Sequence, residues 1–80
     1  MKNDKIEIIQ INISGEDKPG LTSSLTGILA RHDAFILDIG QSNIHQSLTL
    51  GILFMTTAER SGQIMKELLF KASEMNIQIR

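Results

Sequence analysis

The residues best placed to do chemistry in this chain form the run Asp17-Lys18-Pro19-Gly20-Leu21, between a predicted strand and a predicted helix. Pro19 suits the first helical position, because its φ is near the helical value and it has no N–H to leave unpaired. Gly20 has no Cβ, so a small ligand can approach the backbone. The first N–H groups of a helix are unpaired and attract carboxylates and phosphates. The run is therefore either a plain strand-to-helix turn or a binding loop for a small anionic group.

Side chains that could carry out catalysis or bind a metal are few. His32 and His45 are the only histidines, and no carboxylate is spaced to complete a metal site with them. Ser23 and Ser24 have no histidine at an offset that would activate a hydroxyl. His32 falls at the predicted end of the first helix, where an imidazolium suits the helix dipole. The sequence predicts no catalytic residues, no metal site and no cofactor site in these residues.

Composition excludes several classes of function. The formal net charge of the 80-residue chain is −1 and its pI is near 6.0, which gives no electrostatic basis for binding nucleic acid or an anionic membrane. Cysteine is absent, which excludes disulfides and thiolate chemistry and fits a reducing compartment. No apolar run reaches the ~20 residues of a membrane span. We expect a cytoplasmic protein with no nucleic-acid partner and no membrane partner.

Hydrophobic periodicity predicts six elements. Alternating isoleucines indicate a first strand, and Leu21, Leu25, Ile28 and Leu29 at helical spacing indicate an amphipathic helix. In order, the predicted elements are a strand over 6–14, a helix over 19–32, strands over 35–44 and 48–56 joined by a short turn at 45–47, a helix capped by Thr57 or Ser61, and a strand over 76–80. The second helix carries the apolar residues Ile64, Met65, Leu68, Leu69, Ala72 and Met75.

The order β-α-β-β-α-β describes a ferredoxin-like α+β sandwich, a four-stranded antiparallel sheet with both helices on one face. Residues 1–80 form one domain. Ile6, Ile8, Leu53 and Met55 point to the face that the helices do not cover. This surplus apolar surface indicates either an oligomer or a partner domain, or the partly apolar surface that monomers also show. Because the last strand stops at Arg80 without a tail, we expect the chain to be a piece of a longer one.

One resemblance covers essentially the whole chain. The first strand, the Asp17-Lys18-Pro19-Gly20 turn and the following helix with Leu25 and Leu29 resemble the opening of an ACT domain, and Ile36-Leu37-Asp38-Ile39 continues the match. Within that family, the runs Asp38-Ile39-Gly40-Gln41-Ser42 and Leu48-Thr49-Leu50-Gly51-Ile52-Leu53 resemble the N-terminal ACT domains of bacterial phosphoserine phosphatases. The resemblance implies a regulatory module rather than an active site.

ACT domains typically pair with one another and bind amino acids at the interface, beside the first strand-to-helix loop. The resemblance therefore implies a homodimer whose ligand is serine or a similar amino acid. The implied site residues are Asp17, Lys18, Pro19, Gly20 and Leu21, with Ile36, Leu37 and Asp38 facing the loop across the interface. The ligand carboxylate would meet the helix N-terminus and its ammonium would meet Asp17. Gly15 and Phe35 stand where serine-binding relatives carry histidine and asparagine, so another ligand, or dimerisation alone, is an alternative.

By the same resemblance, the parent protein would be a phosphoserine phosphatase of serine biosynthesis. Its phosphoryl-transfer aspartates and its Mg²⁺ site would belong to a separate haloacid-dehalogenase-like catalytic domain of the same chain. These 80 residues would then bind no cofactor and catalyse no reaction. The alternatives are an ACT module of a formyltetrahydrofolate deformylase or of a small transcriptional regulator. An acylphosphatase-like enzyme of the same topology is disfavoured, because its phosphate loop needs an arginine and Asp17-Lys18 supplies none.

Overall fold

The structure, a computed structural model, describes residues 5–79. Six elements follow one another along the chain: β1 (Ile6–Glu16), α1 (Leu21–Arg31), β2 (Phe35–Ile44), β3 (Ser47–Thr57), α2 (Ala58–Met75) and β4 (Gln78–Ile79). Every predicted element is present in the predicted order. The last strand was expected to reach Arg80, which lies outside the described residues.

The sheet is antiparallel and has the strand order β2-β3-β1-β4. β1 and β3 pair along their whole length, from Ile6 opposite Thr57 to Glu16 opposite Ser47. Among the described residues, β2 pairs only with β3 and is an edge strand, whereas β4 pairs only with Ile13 and Ser14 of β1. This topology confirms the predicted ferredoxin-like fold.

The core lies between one face of the sheet and the two helices. Alternate residues of β1 and β3 point into it, because successive side chains of a strand face opposite sides. The buried apolar residues are Ile11, Ile13, Leu48, Leu50, Ile52 and Phe54 from the sheet, Leu21, Leu25, Ile28 and Leu29 from α1, Ile64, Leu68 and Ala72 from α2, and Ile77. Leu69 was predicted to belong to the apolar stripe of α2, yet it is 52% exposed. The 100° step of a helix turns Leu69 away from the core when Leu68 faces it.

The helix start differs from the prediction. α1 begins at Leu21 and not at Pro19, because Gly20 has a φ of 79° and a ψ of 2°, a left-handed conformation that a right-handed helix cannot include. The β2–β3 turn is also shorter than predicted. It contains only His45 and Gln46, since Ser47 already pairs with Ile44.

The sheet face away from the helices carries apolar side chains, as the sequence predicted, and the structure places the most exposed of the predicted ones at one end. Phe35, Met55 and Ile8 are aligned across three neighbouring strands, and Phe35 and Ile8 are 62% and 63% exposed. Ile6, next to this row, is 56% exposed. Toward the other end the face carries glycines and polar side chains, Gly40 opposite Gly51 and Ser42 opposite Thr49. The exposed apolar surface is therefore concentrated where β2 begins.

Candidate functional site

The predicted binding loop is a tight turn that leads into α1. The backbone N–H of Leu21 donates to the carbonyl of Lys18 at 3.2 Å, and Gly20 has the backbone angles of the third position of a type II turn. Pro19 takes the second position, where its fixed φ is favourable. Leu21 is buried and anchors the turn, whereas Pro19 and Gly20 are exposed. A Cβ added to Gly20 would meet no atom within 4 Å, so the space above the turn is open.

Asp17 is held in place by two hydrogen bonds. Its backbone N–H donates to the carbonyl of Gln46 at 2.8 Å, which ties the loop to the β2–β3 turn. Its Oδ2 accepts a hydrogen bond of 2.7 Å from Nδ2 of Asn43. An ionised carboxylate has further lone pairs on both oxygens. The exposed Asp17 carboxylate can therefore accept a ligand ammonium while Asn43 fixes its position.

A chain of polar side chains joins the first turn of α1 to Asp17 across the edge strand. Oγ1 of Thr22 donates to Oε1 of Gln41 at 3.0 Å, and Nε2 of Gln41 donates to Oδ1 of Asn43 at 2.9 Å. Asn43 in turn donates to Asp17. Sequence reasoning missed Gln41 and Asn43. Their two-residue spacing on a strand was the available signal, since it places both on one face.

Lys18 has a structural role that the sequence did not predict. Its Nζ donates to the main-chain carbonyl of Met75, the last residue of α2, at 2.6 Å. The last carbonyls of a helix lack intrahelical partners and favour a cation. Lys18 therefore anchors the loop to the end of α2.

The N-terminus of α1 retains hydrogen-bond donors. The N–H of Ser24 donates to the carbonyl of Gly20 at 2.9 Å, whereas those of Thr22 and Ser23 have no partner within residues 5–79. No side chain caps the helix, and its first turn contains no acidic residue. The helix dipole adds a partial positive charge at this point. The N-terminus of α1 can therefore receive a carboxylate.

The structure does not bring Ile36, Leu37 and Asp38 to this loop within one chain. Asp38 aligns with Leu53 and Gln10, and six positions of β1 separate Gln10 from Glu16. At about 3.3 Å per residue, this separation is roughly 20 Å. A β-bulge interrupts the pairing between Ile36 and Asp38, and Oδ1 of Asp38 accepts the N–H of Ile39 at 2.9 Å. The prediction that they face the loop requires a second copy of the chain.

Packing leaves no room for a side chain at position 15. A Cβ on Gly15 would lie 2.9 Å from Cγ2 of Ile77, closer than atoms can approach without a shift. A histidine at this position would displace Ile77 from the core. The other departure, Phe35, lies at the far end of the sheet opposite Met55.

A cluster of charged side chains lies outside the loop and joins the two helices. Glu67 of α2 makes ion pairs with Arg31 at 2.9 Å and with Nε2 of His32 at 2.5 Å. The hydrogen bond from His32, together with the charges of His32 and Arg31, lowers the pKa of Glu67 below its usual value. Arg60 pairs with Asp33 at 3.0 Å beside this cluster. Within residues 5–79, no three histidine, aspartate or glutamate side chains are grouped so that they could hold a metal ion.

The fold, the turn and the sequence together define the class of protein. The family model described as the ACT domain matches residues 7–80, nearly the whole chain. The chain belongs to the ACT domain family.

Parts of several known proteins are similar to this chain. The chain is 41% identical over 49 residues to phosphoserine phosphatase SerB2 of Mycobacterium tuberculosis, a match that covers 61% of this chain and 12% of that protein. Among solved structures, it superposes with a TM-score of 0.88 on a protein described as a glycine cleavage system transcriptional repressor, at 15% identity over 94% of this chain and 44% of that one. A formyltetrahydrofolate deformylase from Burkholderia mallei superposes with a TM-score of 0.83, at 14% identity over 92% of this chain and 27% of that one. These two likenesses show the fold alone.

The chain spans a small part of the relatives that it matches, 12% of the phosphatase and less than half of each of the two structures. Neither helix of the described residues has the length and apolar character that crossing a membrane requires.

Proposed function

We propose that this chain is a regulatory ACT module that forms a homodimer through β2 and binds an amino acid, serine or one of similar size, between the two copies. The observation that carries the proposal is the position of the loop at one end of an open edge strand. Asn43, near the end of β2, fixes Asp17 of the loop, while the edge of β2 has no partner strand within residues 5–79. An open edge of ten residues is a template for a second strand.

Pairing of two β2 strands would join the separated parts of the predicted site. If two copies pair antiparallel about Gly40, the bulge between Ile36 and Asp38 places Ile36 of one copy opposite Asn43 of the other. Asp38 then lies opposite Ser42, with both side chains on the sheet face away from the helices. Residues 36–38 of the second copy would reach the loop of the first, which removes the separation of roughly 20 Å found within one chain. A twofold axis makes both sites of the dimer identical.

The exposed side chains of β2 support the same pairing. Leu37 and Ile39 are 42% and 43% exposed near the middle of the strand, and Phe35 and Ile44 are 62% and 69% exposed at its ends. The proposed pairing places Phe35 of one copy opposite Ile44 of the other. Removing this apolar surface from water would favour the dimer.

In this dimer the ligand carboxylate would accept hydrogen bonds from the N–H groups of Thr22 and Ser23, and its ammonium would contact Asp17. Gly20 leaves space for the main-chain atoms of the ligand. Phe35 supplies no hydrogen bond where serine-binding relatives carry asparagine. Recognition in this chain would therefore depend on the Thr22–Gln41–Asn43–Asp17 hydrogen-bond chain.

We further propose that the parent protein is a cytoplasmic phosphoserine phosphatase. The 41% identity to a phosphoserine phosphatase over 49 residues supports this assignment, although the match spans little of that protein. The catalytic aspartates and the Mg²⁺ site would belong to another domain of the same chain. A deformylase or a transcriptional repressor is the second candidate, and the likeness in fold is what supports it.

Light scattering coupled to gel filtration tests the dimer. We expect the wild-type chain to elute as a dimer at high micromolar concentration and Ile39→Lys to elute as a monomer, because edge lysines oppose strand pairing. Ile8→Lys is the matched control, since Ile8 is an exposed strand residue away from β2 and should leave the dimer intact. A monomeric wild-type chain, or a dimeric Ile39→Lys variant, would refute the pairing.

Calorimetric titration with L-serine, glycine and phosphoserine tests the ligand. Asp17→Asn removes the charge that meets the ammonium and should weaken binding about tenfold, the effect of one hydrogen bond to a charged group. Glu16→Gln changes the neighbouring exposed carboxylate and should bind as the wild type does. If none of the three compounds releases or absorbs heat while the chain is dimeric, the module only dimerises.

A further inference from the structure

The register of the sheet determines which backbone groups of β2 face its open edge. Just beyond the β1–β3 pair, the N–H of Asp17 donates to the carbonyl of Gln46, so the odd-numbered residues of β1 bond to β3. Bonded and non-bonded pairs alternate in antiparallel strands, and the odd-numbered residues of β3 therefore turn their backbone groups to β2. They lie opposite the even-numbered residues of β2 that follow its bulge. The residues whose N–H and C=O groups point to the open edge are Ile39, Gln41 and Asn43.

One of these outward N–H groups already has an acceptor. Oδ1 of Asp38 accepts the N–H of Ile39 at 2.9 Å. Asp38 is exposed and lies opposite Leu53 on the sheet face away from the helices, so its carboxylate reaches this N–H from that face. A hydrogen bond to an ionised carboxylate is stronger than one between two neutral groups. The carboxylate therefore occupies the position that a carbonyl of a pairing strand would take.

A β-bulge lies directly before this bond. The pairing of β2 with β3 shifts by one residue between Ile36 and Asp38, and Leu37 has no residue opposite it. Bulges and charged side chains are two means by which proteins protect an open strand edge from pairing with another chain. Both occur together in the half of β2 that precedes Gly40.

The bond lies at the centre of the strand pairing proposed above, on which this inference rests. In a pair about Gly40, Ile39 of one copy lies opposite Gln41 of the other, and their outward backbone groups would bond to each other. The N–H of Ile39 is a donor in this pair, and by symmetry it is needed in both copies. We propose that Asp38 masks the dimerisation edge: its carboxylate must release the Ile39 N–H before a second β2 can pair, and it thereby weakens the dimer.

Sedimentation equilibrium of the 80-residue chain over a series of concentrations measures the dissociation constant of the dimer. Asp38→Ala removes the acceptor and should lower this constant about tenfold, because each dimer breaks two masking bonds and each contributes a factor of about three. Asp38→Asn should give an intermediate value, since its amide oxygen still accepts the N–H but carries no charge. Asp38 is exposed, so neither substitution removes a core contact.

A charge control separates the hydrogen bond from simple repulsion between two acidic chains. Glu59→Gln removes one negative charge from the exposed start of α2, away from β2, and should leave the dissociation constant unchanged. If Asp38→Asn and Asp38→Ala lowered the constant equally, the lost charge alone would explain the effect and the masking bond would be refuted.

Hydrogen exchange detects the masking bond before any pairing. In the wild-type chain diluted well below the dissociation constant, the Ile39 N–H should exchange several-fold more slowly than the Gln41 N–H, relative to their intrinsic rates. The Gln41 N–H points to the same edge and has no acceptor within residues 5–79. Asp38→Ala should abolish the difference. Equal relative rates in the wild type would contradict the bond.

The outcomes distinguish this inference from the proposed dimer. A wild-type dimer whose dissociation constant is unchanged in Asp38→Ala would overturn the masking and leave the dimer intact. A weaker dimer in Asp38→Ala would overturn it too, because Asp38 would then support the pairing through Ser42 opposite it. If neither chain dimerises at high micromolar concentration, the proposed dimer itself fails and the masking fails with it.

Discussion

The ammonium group of Lys18 donates a hydrogen bond of 2.6 Å to the main-chain carbonyl of Met75, across 57 positions of the sequence. This bond joins the turn before α1 to the last residue of α2. A second contact lies nearby, between Gly15 at the end of β1 and Ile77 just after α2, because a Cβ on Gly15 would lie 2.9 Å from Cγ2 of Ile77. The candidate loop is therefore positioned by the end of α2 as well as by the strand that precedes it.

The first prediction concerns this bond. Lys18→Met keeps most of the apolar stem but leaves the Met75 carbonyl without its partner, and should lower the free energy of unfolding by about 1 kcal/mol. Lys66→Met, at an exposed position in the middle of α2, should change it by less than about 0.5 kcal/mol. Urea denaturation followed by circular dichroism measures both. Equal effects of the two substitutions would show that the bond to Met75 does not stabilise the fold.

The second prediction concerns the close approach of Gly15 to Ile77. Gly15→Ala places a methyl group where Ile77 already packs and should destabilise the protein by about 1–3 kcal/mol. Gly62→Ala, in α2 with no atom within 4 Å of the added Cβ, should instead stabilise it by about 0.5–1 kcal/mol. Thermal denaturation measures both effects: the melting temperature should fall in Gly15→Ala and rise in Gly62→Ala. In an Ile77→Ala background the cost of Gly15→Ala should shrink, and an unchanged cost would contradict the proposed contact.

The third prediction isolates backbone strain at the turn. Gly20 has a φ of 79° and open space around an added Cβ, so Gly20→Ala meets no steric contact beyond its own backbone. We expect it to destabilise the protein by about 1–2 kcal/mol, the cost of the left-handed conformation for an L-residue. Gly20→Asn should cost less, because asparagine tolerates this conformation better. Chemical denaturation should rank the variants in that order, and an Ala variant as stable as the wild type would be inconsistent with it.

The fourth prediction concerns pH. The hydrogen bond from His32, with smaller contributions from the charges of His32 and Arg31, lowers the pKa of Glu67 in the folded protein below the usual 4.5. A carboxyl with a lowered folded-state pKa contributes stability above its unfolded pKa and loses that contribution as the pH falls through the folded pKa. Glu67→Gln should therefore flatten the decline of melting temperature below pH 4.5. Glu74→Gln, which changes a carboxylate paired with Lys71 elsewhere on α2, should not reproduce this effect. If the melting temperature of Glu67→Gln declined with falling pH as steeply as that of the wild type, the ion pairs of Glu67 with His32 and Arg31 would not stabilise the fold.

Much of the fold could be predicted from the sequence because its patterns are local. Each pattern follows from the geometry of one element. Core-facing apolar residues alternate along β1 and β3, and in α1 they recur at helical spacing, at Leu21, Leu25, Ile28 and Leu29. The start of α1 was misplaced because proline is compatible with both a helix start and a type II turn. Only the left-handed conformation of Gly20 distinguishes the two. Leu69 was assigned to the core because hydrophobicity alone does not say on which side of a helix a residue lies.

In the candidate site, too, some features could be predicted from the sequence and others only from the folded structure. The residue types of the Asp17–Leu21 run and the likeness to ACT domains could be recognised from the sequence, and the structure confirms that the run forms the turn before α1. Three hydrogen bonds could not be recognised from the sequence, because each joins positions that are distant along the chain. They join Lys18 to Met75, Asp17 to Asn43 and Thr22 to Gln41.

By itself, the sequence determined the order of the elements, the core-facing residues of the strands and the family, since all three depend on residue types at short spacings. Tertiary structure alone decided that Lys18 faces Met75, that Ile77 excludes a side chain from position 15, and that residues 36–38 lie at the opposite end of the sheet from the loop. The reason is physical: strand pairing and helix docking bring groups together in space, and the distance between two groups along the chain does not determine how close they lie in the fold. The Asp17 run thus marks the family from its sequence, while the contacts that could make it a binding site arise only in the folded molecule.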